Sequence, residues 1–264
     1  MRLYRTTPGA LRVTSWHLAL YRRLWKINVL SSLVQPMLYI LGLGVGVGSL
    51  VDRNTGSSAV LGTSSYVAFV VPGLLVTTAM ALGAGESMWP VMGGLKWQRS
   101  YHGIASTPLG ARDIVVGHAT WIAIRCAIAA GSVACVLALF HDTRSWGLAP
   151  SVLVAMLVGV SFAMPIMAVS VGAERDGMFP AIQRFVVIPL FLFGGAFYPL
   201  SQLPTGVQWI ARVAPLWHGV VVARGFTTGS VDWPGVGGHL GYVAAWAVAG
   251  VAVATQRLRG KLYT

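Results

Sequence analysis

Residues 148–172 read LAPSVLVAMLVGVSFAMPIMAVSVG, a stretch without a charged side chain. A transmembrane helix needs about 20 mainly apolar residues, so this stretch is long enough to cross a bilayer. The charge-free run extends from residue 145 to residue 173, and similar runs recur along the 264 residues of the chain. The sequence is therefore dominated by apolar segments of membrane length.

The composition excludes two other classes of protein. Hydrophobic residues make up 55% of the chain and charged residues only 10%, whereas a soluble domain is about 25% charged. The charges needed for a solvated surface are missing, which excludes a soluble globular fold. Ten Trp, nine Phe and eight Tyr are too many for a disordered chain. We expect an all-α, polytopic membrane protein that forms a single domain over residues 1–264.

Gaps between charged residues define the predicted membrane spans. Six such gaps are present, and they place spans at about residues 27–51, 66–88, 113–140, 148–173, 182–200 and 239–256. The basic residues of the intervening loops set the orientation, because Lys and Arg concentrate on the cytoplasmic side. They are most frequent in the amino-terminal arm, the connection between spans 2 and 3, and the tail. We therefore expect both termini in the cytosol. We also expect the basic residues behind the net charge of +12 to contact the membrane rather than nucleic acid.

The amino-terminal arm, residues 1–26, has the pattern of an amphipathic helix lying on the inner membrane surface. At 100° per residue its apolar and basic side chains fall on different faces; the apolar set is Val13, Trp16, Leu20, Leu24 and Ile27. The arm lacks the apolar core and cleavage site of a secretory signal, so we expect the chain to start in the cytosol. Simple anchoring by positive charge is an alternative role for this arm.

Two connections are long enough to contain helices of their own. The connection at residues 89–112 reads WPVMGGLKWQRSYHGIASTPLGAR, and its residues 95–105 are predicted to form one short cytosolic helix. Thr107 ends this helix because the residue before a proline is pushed out of the α region. The helix would either dock on a partner or lie on the membrane. Residues 203–214 of the external connection have apolar residues at helical spacing, which predicts a short interfacial or re-entrant helix.

Two charges lie inside or at the edge of the predicted spans. Arg125 is about 18 Å into the third span, counted from Asp113 at 1.5 Å per residue. A charge at that depth usually faces protein or water, so Arg125 either lines a substrate path or pairs structurally. Glu86 lies near the cytosolic end of the second span. The difference in depth predicts that Glu86 does not pair with Arg125 and instead bridges toward the basic loop.

Motifs for catalysis, metal binding or nucleotide binding are missing from the sequence. Gly260 and Lys261 are followed by Leu262, so the nucleotide-binding loop pattern is absent. The six histidines form no HxxxH or HExxH pair, and Gly159-Val160-Ser161 lacks the second glycine that would complete a nucleophile elbow. We expect no metal site, no bound cofactor and no catalytic residue. An intramembrane Ser–His enzyme acting on lipids, using His118 or His218, is an alternative, and so is a secondary transporter.

The order of these features resembles the membrane subunit of type-2 ABC exporters, and several stretches are similar to the NodJ-type lipooligosaccharide export permeases. The stretches are residues 35–39 (QPMLY), 71–74 (VPGL), 86–89 (ESMW), 105–109 (ASTPL), 189–195 (PLFLFGG), 197–199 (FYP) and 215–220 (PLWHGV). The resemblance covers nearly the whole chain. Each stretch alone is weak, but together they are specific.

The resemblance implies a dimer of permeases, homo- or heteromeric, on two ATP-binding subunits that carry ATP and Mg²⁺. It implies that the ATPase-coupling helix contains Lys96, Trp97, Arg99, Tyr101 and His102. It also implies export of an amphipathic substrate, a lipooligosaccharide, glycolipid or drug, through the inner membrane by alternating access. Substrate-path or gating candidates are Glu86, Arg125, Phe193 and Phe197. An apolar lumen would suit lipid tails, and membrane lipid is a further expected partner.

Overall fold

The computed structural model describes residues 8–53, 61–63, 65–139 and 143–263. These residues form helices joined by short connections, with no strand among them. A chain in a bilayer must satisfy its backbone hydrogen bonds within each segment, which a helix achieves. The all-α prediction is confirmed for this part of the chain.

Ten helical segments follow one another in the part of the chain that the structure describes. They are α1 (Gly9–Val51), α2 (Tyr66–Glu86), α3 (Trp89–Met92, continued by a π-helical turn at Gly93–Trp97), α4 (Ser100–Ala105), α5 (Ala111–Leu137), α6 (Leu148–Gly172), α7 (Met178–Phe193), α8 (Thr205–Val213), α9 (Pro215–Thr228) and α10 (Trp233–Tyr263). A single 3₁₀ turn, Leu200–Gln202, lies between α7 and α8.

Five helical stretches among the described residues are long and apolar enough to cross a membrane: Gly9–Val51, Tyr66–Trp97, Ala111–Leu137, Leu148–Gly172 and Trp233–Tyr263. The segment predicted as the fifth span, residues 182–200, instead overlaps α7, which at 1.5 Å per residue is about 24 Å long. α7 ends at Phe193, and the left-handed backbone of Gly195 (φ +83°) turns the chain away. The expectation of six full-length spans is therefore not confirmed.

The amino-terminal arm from Gly9 onward and the predicted first span belong to one continuous helix, with no break at residue 26. No glycine or proline lies near Lys26 to interrupt the helix; Pro36 and a π-helical turn at Ile40–Val47 come later. Val13, Thr14 and Tyr21 are buried. Leu20, Leu24 and Ile27, placed by prediction on the same apolar face as Val13, are exposed. Residues 1–7 of the arm lie outside the described residues.

α6 is the central helix and packs against α2, α5, α9 and α10. The closest approach is at Gly83 of α2, where an added Cβ would lie 2.3 Å from the carbonyl oxygen of Gly159. A Cβ on Gly159 would in turn lie 2.4 Å from Cys126 Sγ of α5. Small residues allow helices to approach this closely in a membrane. The three helices are therefore fixed at one crossing.

The short helix predicted at residues 203–214 is present as α8, and α9 follows it after a break at Ala214. Gly219 of α9 lies against Val158 of α6, where a Cβ would be 2.3 Å from the Val158 Cγ2. α10 begins at Trp233, six residues before the predicted start at His239. The connection between α7 and α10 is thus mostly helical and packed on the bundle.

We expect Gly83→Ala to destabilise the fold, because its methyl group overlaps the Gly159 backbone, which cannot rotate away. Overpacking of this kind costs about 1–3 kcal/mol, so the melting temperature in detergent should fall by several degrees. Gly131→Ala on α5 is the matched control, since nothing lies within 4 Å of its added Cβ. Equal melting temperatures for the two variants would contradict the close crossing.

Candidate functional site

A polar cleft of about 490 Å³ lies between α1, α2, α5 and α7. Its walls combine hydroxyl, amide and charged groups with aromatic rings; the polar lining is Ser31, Ser32, Gln35, Thr78, Glu86, Arg125 and Gln183. Tyr39, Trp89 and Phe191 contribute the rings. Polar side chains at membrane depth face protein interiors or water-filled paths. The cleft is therefore the first candidate for a functional site.

Glu86 and Arg125 form an ion pair in this cleft, with Arg125 Nη1 3.4 Å from Glu86 Oε1. The prediction that their depths differ too much for a direct pair is wrong. α2 ends at Glu86, and Arg125 lies about 21 Å from the start of α5 at 1.5 Å per residue; the contact between α2 and α5 brings the two side chains together. The side chains are 23% and 13% exposed, respectively, so the pair remains reachable from the cleft.

Aromatic rings hold the guanidinium of Arg125. Its Cζ lies 5.0 Å from the ring centre of Tyr21 and 6.0 Å from that of Trp121. A cation over an aromatic face is stabilised by the ring quadrupole, more strongly where water is scarce. The carboxylate of Glu86 and the two rings thus keep a positive charge at the cleft wall. An incoming anionic or polar group could bind this charge by replacing the carboxylate.

An apolar groove on α1 adjoins the polar cleft. It is about 620 Å³ in volume and is lined by Ile27, Leu30, Val34 and Leu38. Ser31, Gln35 and Tyr39 line both the groove and the cleft, so the two are continuous. A molecule with a polar head and an apolar tail matches this arrangement.

Phe193 and Phe197 lie apart from the ion pair and from each other. Phe193 is 41% exposed and lines a separate apolar cavity of about 520 Å³ between α6, α7 and α8. Phe197 is buried, and its ring lies 5.3 Å from Phe191 and 6.2 Å from Tyr39. Phe191 and Tyr39 line the cleft. Phe197 therefore packs against two aromatic residues of the cleft wall, whereas Phe193 lines the separate apolar cavity.

The predicted single helix over residues 95–105 is wrong, because the chain breaks at Arg99. Arg99 has a left-handed backbone (φ 51°) that separates Lys96 and Trp97, at the end of α3, from Tyr101 and His102 on α4. Lys96, Trp97, Arg99 and His102 are exposed. We call residues 96–102, which include these four exposed side chains, the basic loop.

Tyr101 is not part of the exposed surface of the basic loop. It is 1% exposed and lies against Gly94, where an added Cβ would be 2.9 Å from the Tyr101 Cζ. Burial raises the pKa of the Tyr101 phenol, so the ring stays neutral. Lys96 Nζ donates to the carbonyl oxygen of Glu174 at 2.5 Å. Two contacts thus anchor the basic loop. The buried Tyr101 ring packs against Gly94, and Lys96 joins the loop to the connection before α7.

Arg224 of α9 is a structural residue that the sequence analysis missed. Its Nη2 donates to the carbonyl of Gly195 at 2.8 Å, and its Nε donates to that of Phe69 at 3.3 Å. Its guanidinium also lies 3.7 Å from the ring centre of Phe69. Arg224 therefore ties the chain after α7 to α2. The sequence signal for a buried arginine was its position inside the apolar run VVVARGF, residues 220–226.

Two pairs of histidine side chains lie in contact among the described residues, and neither pair is hydrogen bonded to a serine hydroxyl there. His118 Nδ1 lies 3.4 Å from His17 Nε2, and His218 Nδ1 lies 2.7 Å from His239 Nδ1. Ser161 donates its hydroxyl to the carbonyl of Val158. Within residues 8–53, 61–63, 65–139 and 143–263, no group of three or more His, Cys, Asp or Glu side chains could hold a metal ion.

Comparison with known proteins identifies the family. A model of the ABC-2 type transporter family matches residues 11–226, which include the cleft and the basic loop. The chain belongs to this family. ABC-2 permeases work with an ATP-binding subunit, so the family implies such a partner. The permease is a multi-pass protein of the inner membrane.

Similar proteins are known across the length of the permease. Nodulation protein J of Rhizobium meliloti (strain 1021) is 30% identical over 98% of this chain and 99% of its own. Nodulation protein J of Rhizobium leguminosarum bv. trifolii is 32% identical over 93% of each chain. Inner membrane transport permease YadH of Escherichia coli (strain K12) is 25% identical over 79% of this chain and 77% of its own. No solved structure matches the permease.

The Glu86–Arg125 pair is expected to show energetic coupling. Glu86→Gln or Arg125→Gln alone leaves one charge without its partner, whereas the double variant removes both charges. A cycle of unfolding free energies should therefore give a coupling energy on the order of 1 kcal/mol. Glu86→Gln combined with Arg212→Gln on α8 is the control cycle and should be additive. Additive effects in both cycles would contradict the ion pair.

The contact between α9 and α10 is expected to weaken in acid. His218 Nε2 donates to the Arg212 carbonyl at 2.9 Å, so its Nδ1 must accept from His239, and the centre of the tilted Tyr242 ring lies 4.3 Å from the centre of its ring. Burial lowers the pKa of His218 below its ordinary 6.5, although the Arg212 carbonyl raises it in part and His239 lowers it further.

The folded state therefore binds this proton less readily than the unfolded chain, so stability should be constant above pH 6.5 and fall as the pH drops below it. Melting temperatures of the native permease between pH 5 and 8 measure this fall. His218→Gln, which has no titrating ring, should show a shallower decline. An identical decline in both proteins would assign the acid sensitivity to other groups.

Proposed function

We propose that the permease exports an amphipathic molecule, a lipooligosaccharide, a glycolipid or a drug, using ATP hydrolysed by a separate subunit. The observation that carries the proposal is the continuity of the polar cleft with the apolar groove of α1. The head group would bind at Arg125, in exchange with Glu86, and the tail would lie along Ile27, Leu30 and Val34. The nodulation and transport names of the relatives agree with a transport role.

The basic loop is the proposed contact with the ATP-binding subunit. Trp97 is 61% exposed, and Lys96 and Arg99 lie beside it in the sequence and are exposed too. Trp and Arg are enriched at protein interfaces. In this proposal two ATP-binding subunits hold ATP and Mg²⁺, and the loop transmits their closure to α3 and α5. The cleft then alternates between inward and outward access.

A second permease chain is the proposed neighbour of α1 and α7. Leu30 and Leu38 of α1 are each 63% exposed, and Phe185 of α7 is 79% exposed. A second copy, or a homologous permease, would enclose the cleft between the two chains. In this arrangement both termini lie in the cytosol. α7 crosses the membrane as a short helix in addition to the five long ones, and α8 and α9 are re-entrant at the outer surface. Membrane lipid would cover the remaining apolar faces.

The Glu86–Arg125 pair also favours a second candidate, a secondary transporter. Such carriers use ionisable residues inside the membrane to couple ion flow to transport. The two functions differ in their energy source. Transport driven by an ion gradient without ATP would favour the secondary transporter.

The test of the coupling surface uses the permease reconstituted in liposomes with the ATP-binding subunit that purifies with it. We expect amphiphiles to stimulate ATP hydrolysis and to be transported. Trp97→Ala with Arg99→Ala should lower the stimulated rate at least tenfold, because the contact that transmits movement is lost.

The matched control is Trp209→Ala with Arg212→Ala, which removes an equally exposed Trp and its neighbouring Arg from α8. This variant should retain stimulated hydrolysis. A loop variant that keeps full stimulation and transport would show that residues 96–102 are not the coupling surface.

A further inference from the structure

A second apolar groove, about 220 Å³ in volume, lies between α6 and α10, and all of its lining residues belong to these two helices. α10 approaches α6 closely at Gly250, where an added Cβ would lie 2.5 Å from Pro165 Cδ. Ala249 and Val253 lie beside this contact, line the groove and are exposed. We call this feature the α10 groove. It has no lining residue in common with the polar cleft or with the groove of α1.

The α10 groove continues into the apolar cavity of about 520 Å³ between α6, α7 and α8. Pro165 and Trp246 line both the groove and the cavity. Ser161 is the one polar side chain among the cavity's lining residues, and its hydroxyl donates to the carbonyl of Val158 at 2.8 Å. The cavity therefore offers almost nothing to a polar group but accommodates a hydrocarbon chain that arrives along the groove.

Positive charge lies at the other end of the α10 groove. Arg257 lines that end, and its Nη1 donates to the carbonyl oxygen of Ala168 on α6 at 3.1 Å, which holds the guanidinium across the groove. A guanidinium carries five N–H donors. Among the described residues no carboxylate lies within ion-pairing distance of Arg257. Lys261 follows one turn later on the same face of α10 and is exposed. The apolar channel thus ends at two cations.

The length of the α10 groove matches one leaflet of a bilayer. Arg257 follows Trp246 by eleven residues, which is about 16 Å along a helix. The hydrocarbon core of a bilayer is about 30 Å thick, so one leaflet contributes about half of that. A lipid whose head group bonds to Arg257 would therefore reach Trp246, and the cavity beyond it, with its acyl chain. A small anion would leave the groove unfilled, and a lipid without net charge would leave the cations unneutralised.

We propose that the α10 groove is a binding site for an anionic phospholipid. Its phosphate would accept hydrogen bonds from Arg257 and Lys261, and one acyl chain would lie along Ala249 and Val253 into the apolar cavity. Guanidinium and phosphate form parallel, charge-assisted hydrogen bonds, and basic pockets between transmembrane helices bind anionic head groups. The site requires neither ATP nor the exported molecule, so it stands apart from the proposed function. Basic residues that only reach for the membrane surface would not select one lipid over another.

The head-group test is native mass spectrometry of the full permease released from nanodiscs with equal amounts of phosphatidylglycerol and phosphatidylcholine that carry the same acyl chains. We expect a phosphatidylglycerol molecule to stay bound at least fivefold more often than phosphatidylcholine. Arg257→Gln should bring this preference close to one. Arg259→Gln is the matched control and should keep the preference, because Arg259 is exposed but lies about 160° from Arg257 around the helix.

The acyl-chain test uses Ala249→Phe, which fills the α10 groove and should lower the retention of both lipids at least fivefold. Ala252→Phe is its control, since Ala252 is exposed on the same helix and lines neither the groove nor the cavity.

Equal retention of the two lipids, or a preference that survives both Arg257→Gln and Ala249→Phe, would overturn the proposal. The same spectra report permease dimers. Loss of a dimer in Ala249→Phe with lipid retention unchanged would assign the groove to a second chain and would also overturn it.

Discussion

The crossing of α2, α5 and α6 at Gly83, Gly159 and Cys126 is the contact on which the rest of the structure depends. The absence of side chains on the two glycines lets the backbones approach to a distance that any Cβ would prevent. Glu86 lies one turn after Gly83, and Arg125 directly precedes Cys126. The crossing that packs the bundle therefore also brings the two charges together. Packing and candidate function are linked at this point.

Two arginine side chains inside the bundle lie where the chain departs from a regular set of membrane-crossing helices. Arg224 holds the segment after the short helix α7 through backbone carbonyls, and Arg125 is held by Glu86 and two aromatic rings. A charge removed from water is costly unless it is paired or hydrogen bonded. The first arginine stabilises an irregular turn, whereas the second lies at a cleft that a substrate could enter.

Apolar runs and charge gaps predicted the membrane class and placed both ends of two of the five long helices, Ala111–Leu137 and Leu148–Gly172, to within three residues. Other helix ends were less predictable: the helix that begins at Gly9 continues past residue 26, and α3 follows α2 after a break at Ser87 and Met88. The pairing of Glu86 with Arg125 could not be predicted, because it depends on where α2 and α5 cross. The burial of Tyr101 could not be predicted either, since it depends on the turn at Arg99 bringing the ring under Gly94.

The central claim is that this chain is a permease driven by a separate ATP-binding subunit that contacts the basic loop. The most direct test is purification of the intact chain from its native membrane in mild detergent, followed by mass spectrometry of the complex. The account predicts an ATP-binding subunit at equal stoichiometry, with cross-links from residues introduced at Trp97 and Arg99. A folded chain that purifies without any such subunit would contradict it.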